Sequence, residues 1–201
     1  MESNIRNIIF DMGNVLMKFE PKRFIENHGV IDPEEQGLLE KAIFGSGDWI
    51  KLDEGIWDEP DMADMACTRL PEHLHAKARQ ICLHWFEPIM PIEGMEELVK
   101  TCRDKGYGIY LLSNASRVQH DYWKNVPGHQ YFDGTLVSAD LLMIKPDHRI
   151  YEHLLDKYGL KAEECLFIDD KVKNVKAAEE VGIHGYLFDG DVPKLREYMG
   201  V

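Results

Sequence analysis

A short apolar run near the start of the chain is the feature that most restricts its fold. Residues 8–10 are Ile, Ile and Phe in succession, with no polar residue between them. A strand with one solvated face would alternate apolar and polar residues, so this run predicts a strand covered on both faces, as in a parallel sheet. Asp11 follows, and Gly13-Asn14 are residue types that tolerate turn backbone. Asp11 therefore either lies where open α/β sheets bind ligands, or it caps a helix or closes a turn.

From residue 93 onwards, apolar runs alternate with helical periodicity. Strands are predicted at 107–112, 134–137, 165–168 and 184–188, and helices at 93–105, 117–124, 147–158, 172–181 and 192–199. Strands that alternate with helices of about ten residues predict a parallel sheet with helices on both faces. The fold class is therefore α/β, with a three-layer core.

The stretch between the first strand and residue 93 predicts helices only. Asp32-Pro33 followed by Glu34-Glu35 has the N-cap, the proline and the acidic first turn of a helix start. Gly45-Ser46-Gly47 ends that helix, and further amphipathic stretches follow it. We therefore expect one domain of residues 1–17 and 90–201, with a helical domain of residues 18–89 inserted after the first strand.

Length and charge restrict the partners of the chain. Its 201 residues suffice for one sizeable core and a small second lobe. The net charge of −13, without clusters of lysine and arginine, argues against nucleic acid and anionic lipid. No apolar run approaches the roughly 20 residues that cross a bilayer. We expect no nucleic acid and no membrane partner, and a monomer or weak homodimer.

The spacing of the cysteines and the position of the first predicted strand bear on the cellular compartment of the protein. The four cysteines form no Cys-x-x-Cys pair, which favours reduced thiols. The first predicted strand begins too early to leave room for a secretory signal. We therefore expect a cytoplasmic protein.

Four predicted strand ends or loops carry polar side chains. They are Asp11, Ser113-Asn114, Lys145 and Asp169-Asp170. Because the carboxyl ends of parallel strands meet at one sheet edge, we expect these groups to converge. Carboxylates suit Mg²⁺, while a hydroxyl, backbone amides and a lysine suit phosphoryl oxygens. A carboxylate in line with phosphorus is a nucleophile that forms an aspartyl-phosphate.

In order along the chain, these stretches resemble the four signatures of the haloacid dehalogenase superfamily of hydrolases. The matching stretches are Phe10-Asp11-Met12-Gly13-Asn14-Val15, Leu111-Leu112-Ser113-Asn114, Lys145-Pro146, and Phe167-Ile168-Asp169-Asp170 through Asn174. The helical segment 18–89 has the position of that family's mobile cap. The resemblance implies a Rossmann-like core with an inserted helical cap domain. It also implies a Mg²⁺-dependent phosphatase that acts on a small phosphorylated metabolite.

The resemblance implies a metal site and its supporting residues. By position, Asp11, the carbonyl of Gly13 and Asp170 would bind Mg²⁺. Asp169 would support the metal from behind or through water, and Asn174 would orient the acidic loop.

The resemblance also implies a phosphate site. Asp11 would be the nucleophile, while the hydroxyl of Ser113 and the amide of Asn114 would hold the phosphoryl group. Lys145 would neutralise charge on Asp11 and on the phosphate. Mg²⁺ would stabilise the transition state of an in-line displacement.

The sequence departs from the phosphatase pattern at Gly13. Phosphatases of the superfamily usually carry a second Asp there as general acid and base, a role worth about 10²–10⁴-fold in rate. The Asp-x-Gly-Asn form resembles a subgroup related to bacterial sugar-1-phosphatases. One hypothesis is that turnover favours leaving groups that depart easily, such as anomeric sugar phosphates or aryl phosphates. The other is that a different carboxylate supplies the proton, and the candidates are Glu20, Asp48, Asp53 and Glu54.

Two further functions remain as alternatives. Dehalogenases of the superfamily also lack the second Asp, but they are metal-free, and Asp169-Asp170 would then face Asp11 without a cation. The other alternative is a catalytically silent module that binds a ligand or a protein. The complete set of nucleophile, lysine and acidic pair argues against that module.

Overall fold

A five-stranded parallel sheet forms the centre of the computed structural model, which describes residues 4–201. The strands are β1 (Asn7–Phe10), β2 (Gly108–Ser113), β3 (Gly134–Val137), β4 (Cys165–Asp169) and β5 (His184–Leu187). Their order across the sheet is β3-β2-β1-β4-β5. The predicted α/β fold is confirmed, and the strand that carries Asp11 is the central one.

The register of the sheet brings the predicted site residues to one level. Phe10 lies opposite Leu111 of β2 and Ile168 of β4. The residues that follow, Asp11 and Asp169, therefore leave the sheet side by side. Ser113 is the last residue of β2 and lies slightly beyond them. This edge is where parallel sheets bind ligands.

Both faces of the sheet are covered, which explains the apolar run in β1. Ile8 and Phe10 belong to the apolar cluster on one face, and Ile9 belongs to the cluster on the other. The first face is covered by α6 (Met95–Asp104) and α11 (Val192–Met199), and the second by α9 (His148–Tyr158) and α10 (Val172–Glu180). A polar residue at positions 8–10 would be buried on either face.

Within the described chain, five α-helices lie between β1 and α6. They are α1 (Pro21–Asn27), α2 (Pro33–Ile43), α3 (Trp49–Asp53), α4 (Glu59–Cys67) and α5 (His75–His84). The predicted start of α2 is confirmed, because the Asp32 side chain accepts from the N–H groups of Glu34 and Glu35 at 2.9 and 3.0 Å. The apolar cluster of the first sheet face continues into these helices without a break.

The region after β2 differs from the prediction. The helix predicted at 117–124 is shorter, because α7 (Gln119–Tyr122) passes into the 3₁₀ turn Trp123–Asn125. Pro127 explains this end, since a proline disfavours helical backbone in the residue before it. One further helix, α8 (Ser138–Leu141), follows β3 directly and was not predicted. Shorter 3₁₀ turns occupy Glu72–Leu74, His129–Tyr131 and Ala162–Glu164.

Two predictions from composition bear on the whole fold. All four cysteines are buried free thiols. Among residues 4–201, none of the helices combines the length and the hydropathy that crossing a bilayer requires.

Candidate active site

Lys145 occupies the centre of the sheet edge, between two carboxylates. Its Nζ lies 2.6 Å from Oδ1 of Asp11 and 2.7 Å from Oδ2 of Asp169. It also donates to the carbonyl of Leu112 at 2.9 Å. The side chain is only 1% exposed. An ammonium has three donors, and all three are used, so the charge is held in one place.

The charges of this cluster influence one another strongly. Burial raises the pKa of Asp11 to about 7, although Lys145 opposes the shift, and the charge of Asp169 adds to it. Burial alone would lower the pKa of Lys145, but attraction to both carboxylates outweighs that effect and raises it. Lys145 is therefore a permanent cation, and the ionisation of Asp11 responds to any further charge brought beside it.

The acidic loop after β4 fixes one carboxylate and leaves the next one accessible. Asp169 is fully buried and accepts from the N–H of Lys171 at 2.8 Å. The amide of Asn174 donates to both of its oxygens at 3.1 and 3.0 Å. Asp170 is only partly buried. Carboxylate oxygens of Asp11, Asp169 and Asp170 lie within 4.8 Å of one another, a set of hard donors suited to a cation such as Mg²⁺.

The turn after β1 contains a site residue that received no role from the sequence. Asn14 has a left-handed backbone with φ of 58°. Its side chain accepts from the N–H of Phe19 at 3.0 Å and donates to Asp170 at 3.2 Å. Asn14 therefore ties the first loop to the acidic loop. The signal in the sequence was the Gly13-Asn14 pair itself, because asparagine is one of the few residues that adopt this backbone readily.

The end of β2 provides a hydroxyl and a bridge to the lysine loop. Ser113 is 1% exposed, and its hydroxyl makes no hydrogen bond to any residue of the described chain. The side chain of Asn114 donates to the carbonyl of Lys145 at 3.0 Å and accepts from its N–H at 2.8 Å. Asn114 thereby fixes the loop that carries the lysine, a contact that was not predicted.

Two adjoining cavities open over this edge of the sheet. The inner cavity lies between the helical segment and the strand ends, and its apolar wall consists of Met12, Met17, Phe19, Trp49, Leu52, Trp85 and Tyr122. Its polar lining includes Asp53, Ser113, Asn114 and Ser116. No lysine, arginine or histidine of residues 4–201 lines it.

The outer cavity contains the charged cluster. Its lining includes Asp11, Asn114, Lys145, Asp170, Lys171, Lys173 and Asn174. It shares Gly13, Phe19, Trp49, Asp53 and Asn114 with the inner cavity. The two cavities adjoin through these shared residues. Asp11, Lys145 and Asp170 lie on the sheet side, whereas most of the aromatic rings come from the helical segment.

The four candidate proton donors occupy different surroundings. Asp48 is bound by Lys51 at 2.9 Å and by Arg69. Glu20 lines a surface groove that shares Asn14 and Asp170 with the outer cavity, but it lines neither cavity itself. Glu54 lines neither the inner nor the outer cavity, whereas Asp53 lines both.

All eight residues that the sequence singled out lie in or directly behind these cavities. They are Asp11, Gly13, Ser113, Asn114, Lys145, Asp169, Asp170 and Asn174. Their individual roles stay predictions. The arrangement offers a carboxylate nucleophile beside a fixed cation, a free hydroxyl and a set of oxygen donors for a metal.

Comparisons with known proteins give the family of the chain. Residues 5–182 match the haloacid dehalogenase-like hydrolase family. The chain is 29% identical to the sesquiterpene phosphatase astK of Aspergillus oryzae, over 92% of this chain and 90% of that protein.

Solved structures of the same fold include two kinds of enzyme. The HAD family enzyme bt-2542 of Bacteroides thetaiotaomicron, solved with magnesium and inorganic phosphate, is 24% identical, with a TM-score of 0.70 over 95% of this chain and 98% of that chain. The L-2-haloacid dehalogenase of Xanthobacter autotrophicus is 14% identical, with a TM-score of 0.68 over 98% and 83% of the respective chains. With the family match over most of its length and the same parallel fold, the chain is a hydrolase that belongs to the haloacid dehalogenase-like family.

Proposed function

We propose that this hydrolase is a Mg²⁺-dependent phosphatase that cleaves a small phosphomonoester through an aspartyl-phosphate on Asp11. The observation that carries the proposal is the position of Asp11. It lies 2.6 Å from a buried lysine and within 4.8 Å of two further carboxylates. It also lines the outer cavity, which adjoins the inner cavity lined by Ser113. A nucleophile beside fixed positive charge and a metal site is the arrangement that phosphoryl transfer requires.

The donor set supports magnesium. Asp11, Asp170 and the carbonyl of Gly13 would hold the ion, since all three line the outer cavity. Asp169 would stay behind them, because Lys145 and Asn174 already occupy its oxygens. Bound there, Mg²⁺ would supply positive charge to the phosphoryl oxygens. The magnesium and phosphate in the bt-2542 structure support this proposal by analogy of fold.

The remaining residues of the chain would bind and orient the phosphoryl group. The free hydroxyl of Ser113 and the amide of Asn114 would donate to its oxygens, while Lys145 keeps Asp11 in place. We further propose that residues 18–89 act as a cap over a core of residues 1–17 and 90–201. Such a cap would exclude water from the space where the transfer takes place.

The acidic pair disfavours the dehalogenase alternative. A metal-free enzyme would keep Asp170 within 4.8 Å of Asp11 without a cation between them, and the repulsion would weaken the nucleophile. The dehalogenase fold similarity, at 14% identity, does not distinguish the two chemistries.

The first experiment measures hydrolysis of p-nitrophenyl phosphate with Mg²⁺, with EDTA and with the Asp11→Asn variant. We expect turnover that depends on the metal and disappears in both controls. Halide release from 2-chloropropionate in EDTA, without phosphatase turnover, would instead support the dehalogenase. Absence of both activities, combined with phosphate binding, would indicate the silent binding module.

The inner cavity favours an apolar organic group on the substrate. Within residues 4–201, its wall carries four aromatic rings and no basic residue, whereas sugar hydroxyls are best bound by many polar groups. The name of the relative astK, a sesquiterpene phosphatase, also supports an apolar substrate. We therefore expect kcat/KM for prenyl or aryl phosphates to exceed that for sugar 1-phosphates. Equal or greater kcat/KM for the sugar phosphates would contradict this substrate class and would favour the prediction made from the Asp-x-Gly-Asn motif.

A further inference from the structure

We propose that Asp53 is the general acid and base of this enzyme and supplies the function that Gly13 lacks. The proposal rests on the proposed phosphatase activity and adds a catalytic residue from the helical segment. It replaces the hypothesis that only easily departing leaving groups are accepted, because a proton donor allows ordinary alcohols to leave.

Asp53 lies where the inner and outer cavities meet. It is the last residue of α3, and it lines both the inner cavity with Ser113 and the outer cavity with Asp11. A leaving group that extends from a phosphoryl group on Asp11 towards the aromatic wall would pass beside it. No other carboxylate of the described residues lines both cavities.

The carboxyl group of Asp53 is also unengaged. Among residues 4–201 it has no hydrogen-bond or ion-pair partner, although its backbone carbonyl accepts from the hydroxyl of Ser138 at 2.6 Å. The main chain is thus fixed while the carboxyl is left open to the cavity. Asp53 is only partly buried, so a carboxyl without a protein partner at the wall of both cavities is free to bond to a group of the substrate.

The charges around Asp53 favour its protonated form before the substrate binds. Burial raises the pKa of Asp53 well above its usual value, and the charge of Asp11 adds to the shift. Lys145 opposes it, and Glu54 adds a smaller contribution. Tyr122, the other ionisable side chain on the inner cavity, has a raised pKa through burial and stays neutral. These effects favour the protonated form of Asp53, which is the form that a general acid requires.

The reaction that follows is balanced in two steps. In the first, a carboxylate oxygen of Asp11 bonds to phosphorus, the bond from phosphorus to the ester oxygen breaks, and Asp53 gives its proton to that oxygen, which leaves as an alcohol. In the second, Asp53 takes a proton from water while the water oxygen bonds to phosphorus and the bond to Asp11 breaks. Inorganic phosphate leaves and Asp53 is protonated again.

The main test compares single-turnover and steady-state kinetics of Asp53→Asn with those of the unaltered protein. With p-nitrophenyl phosphate, whose leaving group needs little protonation, we expect a burst of one p-nitrophenolate per enzyme followed by slow turnover. With an alkyl phosphate we expect no burst and a loss of kcat of about 10²–10⁴-fold. Glu54→Gln is the matched control, since it removes the neighbouring carboxylate outside the cavities, and it should retain kcat within about twofold.

A rescue variant separates catalysis from folding. A Cβ at Gly13 would meet nothing closer than the Cβ of Phe19 at 3.8 Å, so a side chain can start from this position without a clash. Adding Gly13→Asp to Asp53→Asn should restore turnover of the alkyl phosphate at least tenfold, because a carboxyl returns to the position that the family's phosphatases use.

Three outcomes would overturn the proposal. They are an Asp53→Asn variant with undiminished alkyl phosphate turnover, equal losses on both substrates without a burst, and a double variant that is not rescued. A lack of Mg²⁺-dependent turnover in the unaltered protein would instead refute the phosphatase proposal itself.

Discussion

Lys145 connects the folding of this chain to its chemistry at the scale of a single residue. Its ammonium is buried, and its three donors hold two carboxylates and the end of β2 in place. Removal of one partner of a buried ion pair leaves an uncompensated charge, which costs much more than the loss of a surface pair. The same lysine that orients Asp11, the proposed nucleophile, therefore also stabilises the strand ends.

We expect Lys145→Ala to lower the free energy of unfolding by about 3–5 kcal/mol in metal-free buffer at pH 8. Lys171→Ala is the control, because Lys171 pairs with Asp170 at 2.8 Å with 56% of its side chain exposed. That surface pair should contribute about 0–1 kcal/mol. Urea denaturation followed by circular dichroism measures both, and similar losses for the two variants would show that the buried pair is not stabilising.

Asp53, in contrast to Lys145, destabilises the folded protein when it is ionised. Its folded-state pKa lies well above the usual value, so the folded protein binds more protons than the unfolded chain in the window between the two values. Stability therefore falls as pH rises through that window. We expect Asp53→Asn to raise Tm, by more at pH 8 than at pH 5, because the amide carries no charge.

Scanning calorimetry of Asp53→Asn at both pH values provides the measurement. Glu54→Gln serves as the matched control, with no comparable pH dependence expected. A Tm increase that is the same at pH 5 and pH 8 would refute the ionisation argument. The readout is independent of activity, so it tests the surroundings of Asp53 without reference to catalysis.

At the scale of elements, α3 depends on its neighbours. A helix of five residues is not stable on its own, since nucleation costs more than so few hydrogen bonds return. Its end is attached to the part of the chain that contains the sheet, because Arg117 donates to the carbonyls of Gly55 at 3.2 Å and Ala139 at 2.8 Å. Buried Glu59 accepts from the hydroxyl of Ser116, and the carbonyl of Asp53 accepts from the hydroxyl of Ser138. These contacts form a junction that positions Asp53.

Gly55 is the tightest point of this junction. A Cβ at Gly55 would lie 2.3 Å from the carbonyl oxygen of Ala139, and the residue has φ of +69°. Gly29 also has a positive φ, of +82°, but a Cβ there would meet nothing within 4 Å. We expect Gly29→Ala to cost about 1–2 kcal/mol through backbone strain. Gly55→Ala should cost about 1–3 kcal/mol more through the clash.

Chemical denaturation of the two alanine variants measures this difference. Gly55→Ala should also lower kcat, because the clash displaces the end of α3, while Gly29→Ala should leave kcat unchanged. Equal stability losses in the two variants would mean that the junction yields to the extra carbon, and α3 would then be loosely held.

At the scale of the molecule, the strands and the convergence of the site residues could be predicted from local sequence patterns. The apolar runs determined the strands, and the rule for parallel sheets brought Asp11, Lys145 and Asp169 together although they are far apart in the chain. The choice of Asp53 from four candidates could not be made, because it depends on how α3 packs against α8. Helix α8 itself had no signal in the sequence, as four residues are too few to show a period.

The cysteines provide a test of the whole packing. All four are buried, and burial raises the pKa of Cys82 and Cys165 to about 12 and that of Cys102 to about 11. Since the thiolate is the reactive form, we expect the native protein to react slowly with Ellman's reagent. In guanidinium chloride four thiols per chain should react at once. Rapid reaction of a thiol in the native protein would locate a region that opens easily.

The junction at the end of α3 has a consequence for how such enzymes diversify. Gly55 and Glu59 come from the inserted helices, whereas Ser116, Arg117 and Ser138 come from the part of the chain that contains the sheet. A chimera that joins the helices of one relative to the sheet of another inherits only half of these contacts. Exchange of specificity by recombination should therefore succeed mainly between parents that match at these five positions, which would evolve together as a lineage-specific set.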